Sequence, residues 1–152
     1  MKPHPCQIAL AALACVLVAR PVDLVAQDTS ATTKPVIQVL AGDPDQAGHS
    51  VVRITFPVGF HTDPHHHGVD LTARVRKGRL MMGWGTRFDT TQAVTFQPGS
   101  STVIPAGKDH YDWFPEGAEV EYASEGPWQT VLVDTAGKPI RTQLSLPRFD
   151  RQ

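Results

Sequence analysis

The sequence predicts an all-β domain, a sandwich or barrel of short strands, and two observations lead to that fold class. After residue 34, short β-branched and aromatic runs recur at spacings of about 8–12 residues, with glycine and proline between them. In the same part of the chain no window keeps an apolar i, i+3, i+4, i+7 face for three turns. We therefore expect almost no helix.

The strand segments follow one another along the chain with clear turn signals. Val36–Leu40 is a β-branched run that ends at the turn-prone residues 41–44, and Ser50–Phe56 ends at Pro57 and Gly59. The remaining candidates share this character and are each bounded by glycine or proline: Leu71–Val75, Leu80–Trp84, Val94–Phe96, Thr102–Ile104, Val120–Ala123 and Thr130–Val133. This number of short strands is typical of a closed or two-layered β structure.

The first 26 residues have the layout of a secretory signal peptide. Lys2 gives a positive start, Ile8–Ala19 is an uncharged apolar run, and the small residue Ala26 stands at a plausible cleavage site. The run is shorter than the roughly 20 apolar residues of a transmembrane helix. We predict Sec-type export to the periplasm or the cell exterior, a flexible leader over 27–35 and a barrel over 36–135. Residues 136–152 are then a tail or an edge strand at Ile140–Leu146.

Cleavage after Ala26 leaves about 126 residues, which suffices for one ordinary domain. Both cysteines, Cys6 and Cys15, are lost with the signal, which excludes disulfides, thiolate metal sites and cysteine nucleophiles from the mature chain. Of the 14 basic and 15 acidic residues, two basic and one acidic are also removed, so the net charge becomes −2. The basic residues within Arg74–Arg79 alternate along a strand and indicate a solvated face. We expect no nucleic-acid partner, and no membrane contact after cleavage.

A histidine cluster is the strongest functional signal. Four of the seven histidines lie within Phe60–Gly68, and His65 and His67 are two residues apart. In an extended segment residues i and i+2 point to the same side, so these two imidazoles can reach one ion while His66 points away. On local spacing alone, a surface histidine patch that binds metal loosely is an equal alternative.

A second segment, Gly99–His110, offers a third ligand. It combines strand residues, a proline-containing turn and a histidine that opens an aromatic run. If that run is a regular strand, alternation puts His110 on the same side as Asp112 and Phe114. An ordinary, partly buried histidine is the alternative for His110 when it is considered by itself.

Together the two segments resemble the two motifs of the cupin superfamily. The first motif is Gly, five residues, His-x-His, three or four residues, Glu, six residues, Gly. It is fitted by Gly59, His65, His67 and Gly78, with Leu71 at the glutamate position. The second motif is Gly, five residues, Pro-x-Gly, two residues, His, three residues, Asn. It is fitted by Gly99, Pro105, Gly107 and His110, with Phe114 at the last position.

The resemblance covers about residues 51–133 and implies a cupin jelly-roll barrel, a double-stranded β-helix with the motif histidines inside. It implies one divalent metal ion on His65, His67 and His110, where the usual cupin site also has a glutamate. Leu71 cannot coordinate, so the expected protein ligands are neutral and the ion keeps its +2 charge. Since unit charges 4 Å apart interact by about 4 kcal/mol at an effective dielectric of 20, such a site favours an anion. A carboxylate, an enolate or hydroxide would suit it.

Several residues near the motifs have roles that stay open. The carboxylates of Asp63 and Asp70 are possible replacements for the missing ligand, with solvent exposure as the alternative for both. His61 is a further possible ligand or a residue of the rim. Tyr111 and Asp112 are candidate catalytic residues, because they are the groups beside the second-motif histidine that could transfer protons.

Three functions remain open. The first is a metal-dependent enzyme acting on a small organic anion, a dioxygenase-like oxidoreductase or an isomerase. The second is a non-catalytic extracytoplasmic protein that binds a metal or a small ligand, and the third is a barrel that lost its chemistry with the glutamate. The ion could be zinc, copper, iron, nickel or manganese. A homodimer through the edge strand Val36–Leu40 is also possible.

Overall fold

The computed structural model describes residues 34–143, which are built almost entirely of β-strands. The predicted signal peptide at 1–26, most of the leader and residues 144–152 lie outside the described residues. The strands are β1 (Val36–Ala41), β2 (Ser50–Phe56), β3 (Phe60–His61), β4 (His65–His67), β5 (Leu71–Gly78), β6 (Leu80–Trp84), β7 (Val94–Phe96), β8 (Ser101–Ile104), β9 (His110–Phe114), β10 (Ala118–Ser124), β11 (Thr130–Val133) and β12 (Pro139–Gln143). One short 3-10 turn at Thr90–Gln92 precedes β7.

The strands form two antiparallel sheets that pack as a jelly-roll barrel, which confirms the predicted fold class. The first sheet has the order β1-β2-β10-β5-β8. The second has the order β12-β11-β4-β9-β6-β7, with β3 beside β9. Within residues 34–143, no helix is long and apolar enough to cross a membrane.

Alternation along the strands of the first sheet separates a core face from a solvent face. In β5, Leu71, Ala73 and Val75 are buried, while the residues between them are exposed. β10 alternates in the same way. Each fully buried aliphatic or aromatic side chain contributes about 1.5–3 kcal/mol relative to exposure. The core includes Val52, Ile54, Phe56, Leu71, Leu80, Met82, Ile104, Phe114 and Val120.

The basic cluster of β5 lies on the outer face, where acidic residues of the neighbouring strand β10 pair with it. Arg76 Nε lies 3.0 Å from a carboxylate oxygen of Glu121, and Lys77 Nζ lies 3.2 Å from one of Glu119. Arg53 of β2 also donates to Glu121, at 2.6 Å. Exposed ion pairs contribute little to stability. The consecutive residues Arg76 and Lys77 both reach the outer face because the pairing of β5 with β10 shifts register between Glu119 and Val120.

The second sheet extends further along the chain than the predicted barrel limit of residue 135. β12 pairs antiparallel with β11, with Thr130 opposite Gln143 and Leu132 opposite Arg141. The described part of the C-terminal segment is therefore a strand at the edge of the sheet. β1 is likewise an edge strand, in the first sheet.

Candidate metal centre

Two short strands bring three histidines to one point inside the barrel. β4 and β9 pair antiparallel, with His65 directly opposite His110. His67 lies two residues further along β4, and all three side chains are at most 5% exposed. One ring nitrogen from each histidine lies within 4.8 Å of the corresponding atoms of the other two. The three imidazoles therefore form one cluster of potential ligands.

Backbone carbonyls fix the orientation of each ring. Each Nδ1–H donates to a main-chain oxygen: His65 to Asp63 at 2.8 Å, His67 to Gln129 at 3.3 Å, and His110 to Lys108 at 3.1 Å. A carbonyl can only accept, so the proton resides on Nδ1 and the Nε2 lone pair is left for a ligand. Metal-binding histidines typically have this kind of support on the second nitrogen.

Burial keeps these histidines neutral. It lowers the pKa of His65, lowers the pKa of His67 further, and brings the pKa of His110 to about 3. The Nε2 atom of His110 is buried and has no hydrogen-bond partner among the described residues. Metal ions bind the neutral form of imidazole. Three neutral, converging donors with an unused lone pair therefore fit a metal ion, and the histidines can hold one.

A buried carboxylate lies beside the cluster. Asp112 is two residues after His110 on the same face of β9, is 4% exposed, and places Oδ2 4.0 Å from Nε2 of that histidine. Burial raises the pKa of Asp112 to about 7. Its main chain is held by Thr62, whose N–H donates to the Asp112 carbonyl at 2.9 Å and whose Oγ1 accepts from the Asp112 N–H at 2.8 Å.

A cavity of about 440 Å³ leads to this cluster. His65, His67 and Asp112 are part of its lining, and most other walls are apolar or aromatic. The apolar and aromatic lining residues are Pro35, Ile37, Ile54, Phe56, Phe60, Tyr122, Trp128 and Leu132. Its size suits a small organic ligand.

Comparison with solved structures identifies the fold. A protein of unknown function with a cupin-like fold from Ralstonia eutropha has a TM-score of 0.54 at 20% identity, over 70% of this chain and 63% of that one. An RmlC-like cupin from Shewanella frigidimarina has a TM-score of 0.52 at 19% identity, over 62% of this chain and 78% of that one. The chain has the cupin fold.

Other comparisons limit what the cupin fold implies here. A salicylate 1,2-dioxygenase from Pseudoaminobacter salicylatoxidans has a TM-score of 0.51 at 11% identity, over 61% of this chain but only 25% of that one. At such identities the likeness concerns the fold alone. No family model matches this chain, and no curated protein matches it.

Neither carboxylate near the first motif joins the histidines. Asp70 is exposed, and its Oδ1 accepts a hydrogen bond from the Ala106 N–H at 2.7 Å. Asp63 is exposed too and supports His65 through its backbone carbonyl. Leu71 is fully buried in the apolar core.

The other candidate residues lie at the margin of the site or away from it. His61 is exposed in the cavity lining, with its ring 5.1 Å from that of Phe88. His66 is paired with Asp109 at 2.8 Å. Tyr111 alternates to the opposite side of β9, where its hydroxyl donates to the Asp89 carbonyl at 2.7 Å and lies outside the lining of the cavity. Of the two candidate proton-transfer residues, only Asp112 lines the cavity.

Sequence reasoning missed the wall of the cavity that is formed by β10, β11 and the segment between them. The ring of Trp128 lies 5.6 Å from that of His67 in an edge-on arrangement, and it also contacts Tyr122. The Trp128 Nε1–H donates to Thr130 Oγ1, which lies 3.3 Å from His67 Nδ1. These residues are about 60 positions from the first motif. The one available signal was the predicted strand Thr130–Val133, since β11 pairs with β4 and Trp128 lies just before it.

Proposed function

We propose that this protein is an exported, metal-dependent cupin enzyme that acts on a small organic anion. The observation that supports the proposal best is the cluster of three buried, neutral imidazoles beside a largely apolar cavity of about 440 Å³, which His65, His67 and Asp112 line. A structural histidine cluster would not need an open cavity beside it. Perturbed titratable groups that line a pocket are typical of functional sites.

The charges around the cavity favour an anionic ligand. A divalent ion on three neutral histidines contributes +2, and an ionised Asp112 reduces this to +1, so the site stays positive. The exposed lining residues Lys34 and Asp63 have opposite charges, which offset each other and leave the site positive. When bound, the metal supplies Lewis-acid polarisation of a carboxylate or an enolate.

The protein's own residues would perform the remaining steps. His65, His67 and His110 would hold the ion, and the aromatic wall of Phe56 and Trp128 would pack against a planar or apolar part of the substrate. Asp112 Oδ1, which faces no hydrogen-bond donor among the described residues, would hold or release the substrate proton. Burial raises the pKa of Asp112 to about 7, which suits proton transfer near neutral pH.

Within this proposal the reaction is of the dioxygenase type. Isomerisation through the same enolate is the alternative reaction. The cupin fold of the salicylate 1,2-dioxygenase supports the first of these by analogy of fold. The ion is zinc, copper, iron, nickel or manganese. Export rests on the signal-like residues 1–26. A homodimer would form through β1, where Val36 and Leu40 are exposed.

Turnover assays test the proposal. Protein recovered from the exported fraction is incubated with diketones, flavonols and other enolisable acids, while oxygen uptake and product formation are followed. We expect turnover by the unaltered protein, no turnover by His65→Ala or His110→Ala, and full turnover by His49→Ala, whose exposed ring pairs with Glu125. Stoichiometric metal without turnover of any such substrate would favour the binding-protein alternative instead.

A further inference from the structure

We propose that Asp112 is the fourth protein ligand of the metal site, a carboxylate supplied by the second motif where Leu71 replaces the glutamate of the first. The inference rests on the metal site of the proposed function. It changes the expected ligand set from three neutral histidines to three histidines and one carboxylate. As a ligand through Oδ2, ionised Asp112 supplies the negative charge that makes the loaded site +1, and its Oδ1 stays available for the substrate proton.

The distance between donors supports direct coordination. Oδ2 of Asp112 and Nε2 of His110 are 4.0 Å apart. Ligand bonds of about 2.0–2.2 Å allow two donors on one ion to be separated by at most about 4.2 Å. The two atoms therefore lie within the span that a single ion can bridge.

The strand geometry directs Asp112 into the cluster. Residues i and i+2 of a strand share a face, so Asp112 follows His110 along β9 on the side that faces the cavity. Its backbone N–H and carbonyl are both hydrogen-bonded to Thr62. This double attachment to the segment before β4 fixes the main chain, and the side chain stays directed inward.

Two buried polar atoms without hydrogen-bond partners within residues 34–143 also support a cation between His110 and Asp112. Among the described residues, neither Asp112 Oδ1 nor His110 Nε2 has a hydrogen-bond partner, and both atoms are buried. Buried polar groups without partners are costly and rare in folded proteins. A cation bound by Nε2 of His110 and Oδ2 of Asp112 would satisfy the imidazole lone pair and offset the negative charge of the buried carboxylate.

The other carboxylates near the motifs are engaged elsewhere. Asp70 accepts from the Ala106 N–H, and the side chain of Asp63 is exposed. The group of close donors consists of His65, His67 and His110, and Asp112 is connected to it through the 4.0 Å separation between its Oδ2 and Nε2 of His110. Since Leu71 lies in the apolar core, Asp112 is the carboxylate best placed to act on the ion.

Metal titration of the full mature chain tests the inference. Zinc and cobalt(II) affinities are measured by competition with a chromophoric chelator at pH 7.5 for the unaltered protein and for Asp112→Asn. We expect about 100-fold weaker zinc binding by D112N, together with a changed cobalt absorption spectrum. The matched controls Asp63→Asn and Asp70→Asn should stay within about threefold of the unaltered protein.

The outcomes separate this inference from the proposed function. Equal zinc affinity and an unchanged cobalt spectrum in D112N would overturn the role of Asp112 while leaving the histidine site intact. No metal binding by the unaltered protein would overturn both. If D112N fails to fold, as judged by circular dichroism, Asp112→Ser removes the same carboxylate with a smaller side chain and carries the same expectation.

Discussion

The three imidazoles of the centre are oriented by backbone carbonyls, so their geometry follows the course of the chain and not the identity of neighbouring side chains. His65 and His110 each donate to a carbonyl two residues earlier in their own segment. This arrangement is local and therefore readable from sequence. The ring of His67 instead uses the carbonyl of Gln129, from a distant strand.

Gly83 of β6 has no side chain, and this leaves space for the ring of Tyr111 on the opposite strand β9. A Cβ added at Gly83 would lie 2.1 Å from the ring of Tyr111, whose hydroxyl is held by the Asp89 carbonyl. We predict that Gly83→Ala lowers the free energy of unfolding by about 1–3 kcal/mol through overpacking, as measured by urea denaturation. Gly68→Ala is the control, because its Cβ would meet only the flexible Gln129 side chain and should cost less. Equal effects of the two substitutions would contradict this explanation.

At the level of strands, sequence patterns predicted the regular part of the fold well. Ser50–Phe56, Leu80–Trp84, Val94–Phe96 and Thr130–Val133 have the predicted bounds, because turn residues end each run clearly. β5 continues to Gly78, beyond the predicted Val75, because its last residues are polar side chains on the solvent face. Alternation cannot mark the end of a strand whose inward positions are no longer apolar.

The candidate site could be predicted only as far as local spacing reaches. The two motifs indicated His65, His67 and His110. Alternation along the predicted strand placed Asp112 on the same face as His110. The missing partner of Asp112 and the contact of Trp128 with His67 depend on strands that meet only in the folded barrel. Sequence spacing does not contain that information.

At the scale of the whole molecule, the buried centre should make the metal-free protein sensitive to acid. Burial lowers the pKa values of His65, His67 and His110, so as the pH falls through about 6.5 the unfolded chain takes up protons on these histidines before the folded chain does. Asp112 acts in the opposite sense, since burial raises its pKa to about 7 and the folded state holds its proton. The net difference, at most about two protons, favours the unfolded chain.

We therefore predict that the stability of the metal-free protein falls as the pH drops from 6.5 towards 5. Each net proton contributes a slope of up to about 1.4 kcal/mol per pH unit. Urea unfolding at pH 7.5, 6 and 5 in the presence of a chelator measures the effect. His49→Ala should show the same pH dependence, because its side chain is exposed. A free energy of unfolding that stays constant between pH 6.5 and 5 would contradict the prediction.

The central claim is that His65, His67 and His110 hold a metal ion in this barrel, and metal content tests it most directly. Protein recovered natively from the exported fraction is analysed by mass spectrometry for its metal-to-protein ratio. We predict about one divalent ion per chain in the unaltered protein and in His66→Ala, whose ring is paired with Asp109. The ratio should be close to zero in His110→Ala. A ratio near zero in the unaltered protein, or an unchanged ratio in His110→Ala, would contradict the account.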